Sequence, residues 1–176
     1  MARKLTLYIA ASADGFIAAP DGDLSFLNAV EVPGEDYGYN VFMATVDTVL
    51  LGRKTYEKVV SMGVENPHAD KECYVITRTP RESKGRTIFY TGNITDLINR
   101  LKSENGNRIF CDGGGEIIDE LLRAELIDEI IVSVIPVLLG NGIPLFKPGR
   151  ARQPLTLVSA QPYASGLVQM HYEVNH

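Results

Sequence analysis

Residues 108–122, Arg-Ile-Phe-Cys-Asp-Gly-Gly-Gly-Glu-Ile-Ile-Asp-Glu-Leu-Leu, constrain this chain more than any other stretch. Ile109-Phe110-Cys111 reads as a short apolar strand. The pattern breaks at Gly113-Gly114-Gly115 and resumes with a helical rhythm at Ile117, Ile118, Leu121 and Leu122. A strand, a glycine turn and a helix in that order suit a phosphate. Glycine lets the backbone approach a ligand closely, and a helix start offers unpaired N–H groups and the positive end of its dipole. The plain alternative is a tight turn that binds nothing. Three consecutive glycines exceed what such a turn needs, because each one costs chain entropy.

The neighbouring segments place this unit in an alternating α/β chain. Lys4–Ala11 alternates as a first strand, followed by a turn at Asp14-Gly15. Pro20–Asp23 turns again, and Leu24–Val30 suits a short helix with Asp23 as its cap. Glu35–Val46 reads as an amphipathic helix with an acidic start. Thr48–Leu51 is an apolar buried strand, and Tyr56–Val60 is helical. Residues 62–71 form a polar loop, so His68 is expected in solvent. Strands are expected at Cys73–Thr77 and Thr87–Tyr90, then a helix over Asn93–Glu104. After the glycine unit comes a long strand, Ile127–Leu139, interrupted at Pro136. Leu155–Tyr163 and Leu167–Val174 read as a closing hairpin. The implied architecture is a mostly parallel sheet with helices on both faces and an antiparallel C-terminal hairpin. With 176 residues and no linker, a single domain over 1–176 is expected.

Composition narrows the function classes. Seventeen basic and 22 acidic residues give a net charge of −5, which argues against nucleic acid as a partner. No apolar run reaches the roughly 18 residues of a membrane span, and the first residues lack a signal peptide's apolar centre, so a cytoplasmic location is expected. Cys73 and Cys111 sit in strand-like runs and read as buried thiols. His68, His171 and His176 are scattered and form no metal set.

Two further strand ends carry phosphate-holding chemistry. Val49-Leu50-Leu51 ends in Gly52-Arg53-Lys54-Thr55, placing two cations and a hydroxyl at a helix start. Thr77-Arg78-Thr79 repeats the arrangement after the third strand. Ligands of open α/β sheets gather at the carboxyl ends of strands. One strand-end arginine is ordinarily a solvated charge, but three such ends suit an adenine dinucleotide with an extra 2′-phosphate, NADPH more than NADH. The Gly-x-Gly-x-x-Gly fingerprint and the Gly-Lys-Ser/Thr phosphate loop are both missing.

These motifs resemble those of the dihydrofolate reductase superfamily, over nearly the whole chain. Residues 51–57 resemble its NADPH-binding turn, residues 112–117 its glycine-triplet turn, and residues 126–133 the strand that follows. Residues 12–18 and 134–146 are closer to one branch, the reductase domain of the riboflavin-pathway deaminase-reductase and its stand-alone relatives. The resemblance implies a dihydrofolate reductase-like three-layer fold and NADPH-dependent hydride transfer to a small heterocycle, pterin-like or the riboflavin-pathway ribosylaminopyrimidine phosphate. The cofactor would supply the hydride and the protein orientation and a proton. It implies that Gly52, Arg53, Lys54 and Thr55 hold the pyrophosphate and 2′-phosphate. Thr77 and Arg78 would flank the adenosine. Gly113, Gly114, Gly115 and Glu116 would hold the pyrophosphate and nicotinamide side, with a cis peptide at Gly113-Gly114. Ala10 and Ala11 would lie near the nicotinamide. A homodimer is also implied, through the last hairpin and the Ile127–Leu139 strand.

The acid is open between two positions. Dihydrofolate reductases use a carboxylate at the start of the helix before the Gly-Arg turn, and Asp36, sixteen residues before Gly52, fits that place. In an apolar cleft its pKa would be raised, which suits proton supply near neutral pH. Equally, Asp36 merely supports its helix electrostatically. Asp14 is the second candidate, against a plain Asp-Gly turn. Tyr37, Tyr39 and Phe42 suit stacking on a substrate ring, against ordinary core or dimer contacts. The chain lacks Trp, has Asn40 where dihydrofolate reductases commonly carry an aromatic residue, and shows neither a deaminase domain nor a zinc cluster. The rival is a non-catalytic NADP(H)-binding or regulatory protein of the same fold.

Overall fold

The computed structural model describes residues 3–65 and 67–176. The chain runs β1 (Leu5–Ser12), β2 (Phe16–Ala18), a 3-10 helix (Ser25–Val30), α1 (Tyr39–Met43), β3 (Val46–Gly52) and α2 (Arg53–Ser61). It continues through β4 (Glu72–Ile76), β5 (Thr87–Tyr90), α3 (Ile94–Ser103), β6 (Arg108–Gly113) and α4 (Gly115–Arg123). The last strands are β7 (Glu129–Ile135), β8 (Ile143–Pro144), β9 (Leu155–Pro162) and β10 (Val168–Val174). Eight strands form one sheet in the order β5-β4-β3-β6-β1-β7-β10-β9. All neighbours from β5 to β7 are parallel, whereas β10 and β9 are antiparallel. The expected mostly parallel sheet with a C-terminal hairpin is therefore what forms.

The two apolar faces of the sheet explain the three layers. On one face Leu97, Ile98 and Leu101 of α3 and Ile117, Ile118 and Leu121 of α4 pack on Leu5, Leu7, Ile109 and Cys111. On the other, Phe42 and Tyr56 pack on Val49, Leu51, Cys73, Val75 and Phe110. Alternation along β1 and β6 sends successive side chains to opposite cores. Each fully buried aliphatic residue contributes about 1.5–3 kcal/mol, so these two clusters fix which strand ends lie side by side.

Several local expectations are corrected. The helix expected over Glu35–Val46 shrinks to α1, because Tyr37 (φ 55°) and Gly38 (φ 80°) are left-handed and block it from starting earlier. Val41, one of the apolar residues of that expected helix, is exposed. The short helix before it is of 3-10 type with Leu24 at its cap position; Asp23 instead accepts the Ser25 N–H at 3.0 Å. β7 ends at Ile135, since Pro136 has no N–H to continue the ladder. β2 and β8, too short for a periodic signal, form a separate antiparallel pair. No cis peptide is present among the described residues. Gly113 and Gly114 turn the chain with φ of 119° and 101° instead.

Candidate functional site

Three carboxyl strand ends meet on one rim. Gly52 at the end of β3 is the register partner of Ile76 on β4, and Leu51 is the partner of Gly113 on β6. Two helices of nine residues therefore start next to each other, α2 after Gly52 and α4 after Gly114, and neither has a side-chain cap. Their first-turn N–H groups are left for another acceptor. Between them runs a crease that glycine keeps open. A Cβ on Gly114 would stand 3.2 Å from Thr55 Oγ1 and 3.7 Å from Gly52 Cα. A Cβ on Gly52 would stand 3.2 Å from Ile117 Cγ1. Lys54 and Glu116, one from each helix, face each other at 3.8 Å and are both well exposed.

The cations of the rim are not equally free. Arg53 donates to Glu57 at 2.7 Å, and Arg81 donates to the other oxygen of the same carboxylate at 2.8 Å. These two guanidinium groups, Arg81 first, hold the Glu57 carboxyl below its ordinary pKa. Arg81 also lies over the Phe89 ring, 5.7 Å from its centre. Arg81 belongs to this cation cluster and lies in a loop whose sequence, Thr-Pro-Arg-Glu, carries no motif that would have singled it out. Arg78 is exposed, and Thr77 is buried with its hydroxyl accepting the Thr79 N–H at 3.1 Å.

A cleft of about 430 Å³ opens on the same side of the sheet as α1. Tyr8, Ala10, Ser133 and Ile135 form its floor, Tyr37, Tyr39 and Leu167 its sides, and Asp36 part of its rim. β1 carries Ala10 between β6, which bears the crease, and β7, which bears Ser133. Ala11, one residue on, is buried in the opposite core. Burial raises the Tyr8 phenol and, helped by Asp112, pushes that of Tyr39 up to about 12, so both stay protonated donors at neutral pH. A second cavity of about 190 Å³, beside Arg123, Arg150 and Arg152, lies at the other end of α4.

Both candidate acids are held in their ionised form, and for Asp36 this differs from expectation. Asp36 accepts the Asn40 N–H at 3.0 Å and the Gly38 N–H at 2.9 Å; these bonds lower its pKa. The expected raised pKa is overturned, because the carboxylate stands in solvent at a turn instead of in an apolar pocket. Asp14 is lowered as well, first by the Ser12 hydroxyl at 2.6 Å and then by the N–H groups of Gly140 and Leu139. It ties the β1–β2 turn to residues 137–142.

The aromatic candidates divide. Tyr37 lines the cleft while its hydroxyl is engaged by the Val30 carbonyl and Ser165. Phe42 is buried beneath, 4.6 Å from Tyr8 and 5.3 Å from Phe110 between ring centres, and does not line the cleft. His68, expected in solvent, is folded inward: its Nε2 lies 2.9 Å from Asp112 and its ring packs edge-on to Phe110. The sequence gives no sign of the polar cluster behind the cleft floor, where Gln169 of β10 reaches Tyr8 and Ser133.

Comparison with known proteins agrees with this geometry. Residues 3–169 match the model of the RibD C-terminal domain. The chain is 42% identical over 173 residues to the uncharacterized Bacillus subtilis protein YwjB, with 98% of each covered. It is 30% identical to a solved Shewanella sp. PV-4 protein provisionally named for riboflavin biosynthesis, with a TM-score of 0.89 over the whole of both chains. The Enterococcus faecalis dihydrofolate reductase solved with NADP(H) has a TM-score of 0.68 at 17% identity, covering 98% of this chain and 97% of that one. The last likeness is one of fold.

Proposed function

This chain belongs to the RibD C-terminal domain family, and we propose from that premise that it is a cytoplasmic NADPH-dependent reductase of a small heterocycle, pterin-like or pyrimidine-like. The observation that carries the reading is the crease at Gly52 and Gly114, lying between two uncapped helix starts, at the end of the strand that pairs with cleft-lining β1. Its donor set fits a pyrophosphate: free first-turn N–H groups, Thr55 and Lys54. Arg53, Arg78 and Arg81 suit a 2′-phosphate, with Thr77 shaping the turn beneath the adenosine. Gly113, Gly114, Gly115 and Glu116 would border the nicotinamide side, near Ala10 and Ala11.

NADPH, when bound there, supplies a hydride. The chain's own part is to bind, orient and screen. The cleft volume suits a one- or two-ring substrate. Tyr37 and Tyr39 flank the ring, and the ionised Asp36 accepts a hydrogen bond from a ring N–H or amino group. Neither Asp36 nor Asp14 stores a proton near neutral pH, so the proton that accompanies the hydride comes from water. The exposed apolar residues of β9, Leu155, Leu157 and Val158, support a homodimer through the last hairpin.

A thermal shift titration of the full chain with NADPH tests the reading, since a ligand at 100 times its Kd adds about 2.7 kcal/mol of stability. No shift at saturating NADPH would sink it. The ionised state of both acids gives the rival, a non-catalytic NADP(H)-binding protein, its own support. Oxidation of NADPH in the presence of dihydrofolate or the ribosylaminopyrimidine phosphate excludes the rival. Binding without oxidation across a broad heterocycle panel favours it.

A further inference from the structure

Three adjacent strands place Ala10, Ser133 and Gln169 in one row: Ala10 pairs with Ser133 across β1 and β7, and Ser133 pairs with Gln169 across β7 and β10. The Gln169 amide nitrogen approaches three acceptors, Tyr8 Oη at 2.9 Å, Ser133 Oγ at 3.1 Å and the Tyr37 carbonyl at 3.2 Å. The carbonyl settles which end of the amide faces this cluster, because a carbonyl oxygen can only accept and therefore requires the NH2. An NH2 group donates and never accepts. Where it meets a hydroxyl, that hydroxyl must act as acceptor. Tyr8 then sends its own proton to the Tyr37 carbonyl at 3.2 Å. Ser133 accepts from Gln169, and among the described residues no acceptor takes its proton. Its side chain is buried and lines the cleft.

We propose that Gln169 is a specificity-determining positioning residue, which polarises the cleft floor so that Ser133 donates to a ring carbonyl or imine nitrogen of the substrate. The inference rests on the cleft being the substrate site, as proposed above. It deepens that reading by naming the ring edge that is recognised: an acceptor toward Ser133, with N–H or amino groups toward the ionised Asp36. A ring presenting an amino group to Ser133 would set donor against donor and leave a buried polar group unpaired. Gln169 itself does not line the cleft, so it acts through Ser133 and Tyr8.

The test uses the full chain saturated with NADPH and the ring compounds oxindole and indole, which share a ring N–H and differ in the ring carbonyl that only oxindole carries. Their affinities are read by ligand-observed NMR at millimolar concentration. The wild type is expected to favour oxindole about tenfold, the value of one neutral hydrogen bond. Gln169→Glu replaces the donor with an acceptor, so Ser133 must donate to it and present a lone pair to the cleft; the preference should reverse. Ser133→Ala removes the donor and should abolish the preference, and it serves as the independent test if Gln169→Glu does not fold. A wild type without preference, an unchanged order in a folded Gln169→Glu, or a retained preference in Ser133→Ala each overturn the inference. NADPH-dependent melting, measured on the same samples, separates this outcome from failure of the reductase reading: a missing NADPH shift in the wild type sinks that reading while the ring preference stands.

Discussion

The crease gives a prediction whose size follows from the structure. Gly114→Ala puts a methyl on a backbone with φ of 101° and 3.2 Å from Thr55 Oγ1. Backbone strain of this kind costs about 1–3 kcal/mol. The loss of unfolded-state entropy on replacing glycine returns about 0.4–1 kcal/mol. Thr55 can rotate away, and the 3.7 Å approach to Gly52 is ordinary contact, so crowding adds little. The net loss is about 1–2 kcal/mol, or a drop in Tm of about 2–8 °C for a chain of this length. Gly115→Ala is the matched control. That residue starts α4 without a positive φ, and its added methyl meets nothing nearer than Ile143 Cγ2 at 3.4 Å. It should be neutral or stabilise by up to about 1 kcal/mol. Urea unfolding of the two variants, with and without NADPH, measures both effects. In the proposed reading the Gly114 methyl also sits where the pyrophosphate approaches the helix starts, so NADPH affinity should fall at least about tenfold. If Gly114→Ala unfolds like Gly115→Ala and binds NADPH like the wild type, the crease is not a phosphate cradle.

Asp14→Ala should release residues 137–142 and speed hydrogen exchange at the Leu139 and Gly140 amides, while exchange in β6 stays unchanged. Because the folded pKa of Asp14 is depressed, its stabilisation is complete above the ordinary carboxylate range and is lost as pH falls through the folded value; protease resistance of this loop should hold at neutral pH and weaken only below about pH 4. Cys73 and Cys111 are both pushed up to about 12 by burial, so iodoacetamide at neutral pH should label neither in the folded protein and both in urea; labelling of native protein at either thiol contradicts the buried-strand assignment. Glu57→Gln removes the negative charge shared by Arg53 and Arg81 and should tighten NADPH relative to NADH, read as the ratio of the two Kd values; an unchanged ratio would place the 2′-phosphate elsewhere.

The elements that could be read from the sequence are those whose information is local. Strand β5 lies where its apolar period puts it, and helix α3 falls within the expected Asn93–Glu104 span, with Asn93 as its cap. The rim could be read for the same reason, since each of its three parts is a contiguous strand-to-loop motif and parallel strands bring their carboxyl ends together. The start of helix α1 could not, because the decisive fact is the left-handed backbone at Tyr37, and non-glycine residues seldom announce that conformation. His68 was misplaced because its partner Asp112 is 44 residues away. The floor of the cleft was invisible for a like reason. Gln169 and Tyr8 are separated by 161 residues, and a polar residue in a two-residue alternation looks like a solvent-facing position until its neighbouring strand is known.

The position of Asp36 and its protonation pull in opposite directions, and this decides what the site can do. A carboxylate just before a helix is easily nominated as an acid from its place in the chain. That same place surrounds it with N–H groups that the helix start leaves unpaired, and these stabilise the charged form. Asp36 accepts two of them, the Asn40 N–H first, and these bonds outweigh its slight desolvation and lower its pKa. To serve as an acid near neutral pH it would have to be buried against apolar side chains and freed from Gly38 and Asn40, which would dismantle the turn that starts α1. In the proposed reading this suits Asp36 to holding a ring N–H more than to delivering a proton. In that reading the chain contributes orientation: a charged acceptor at the rim, a polarised hydroxyl at the floor, and a glycine crease along one side.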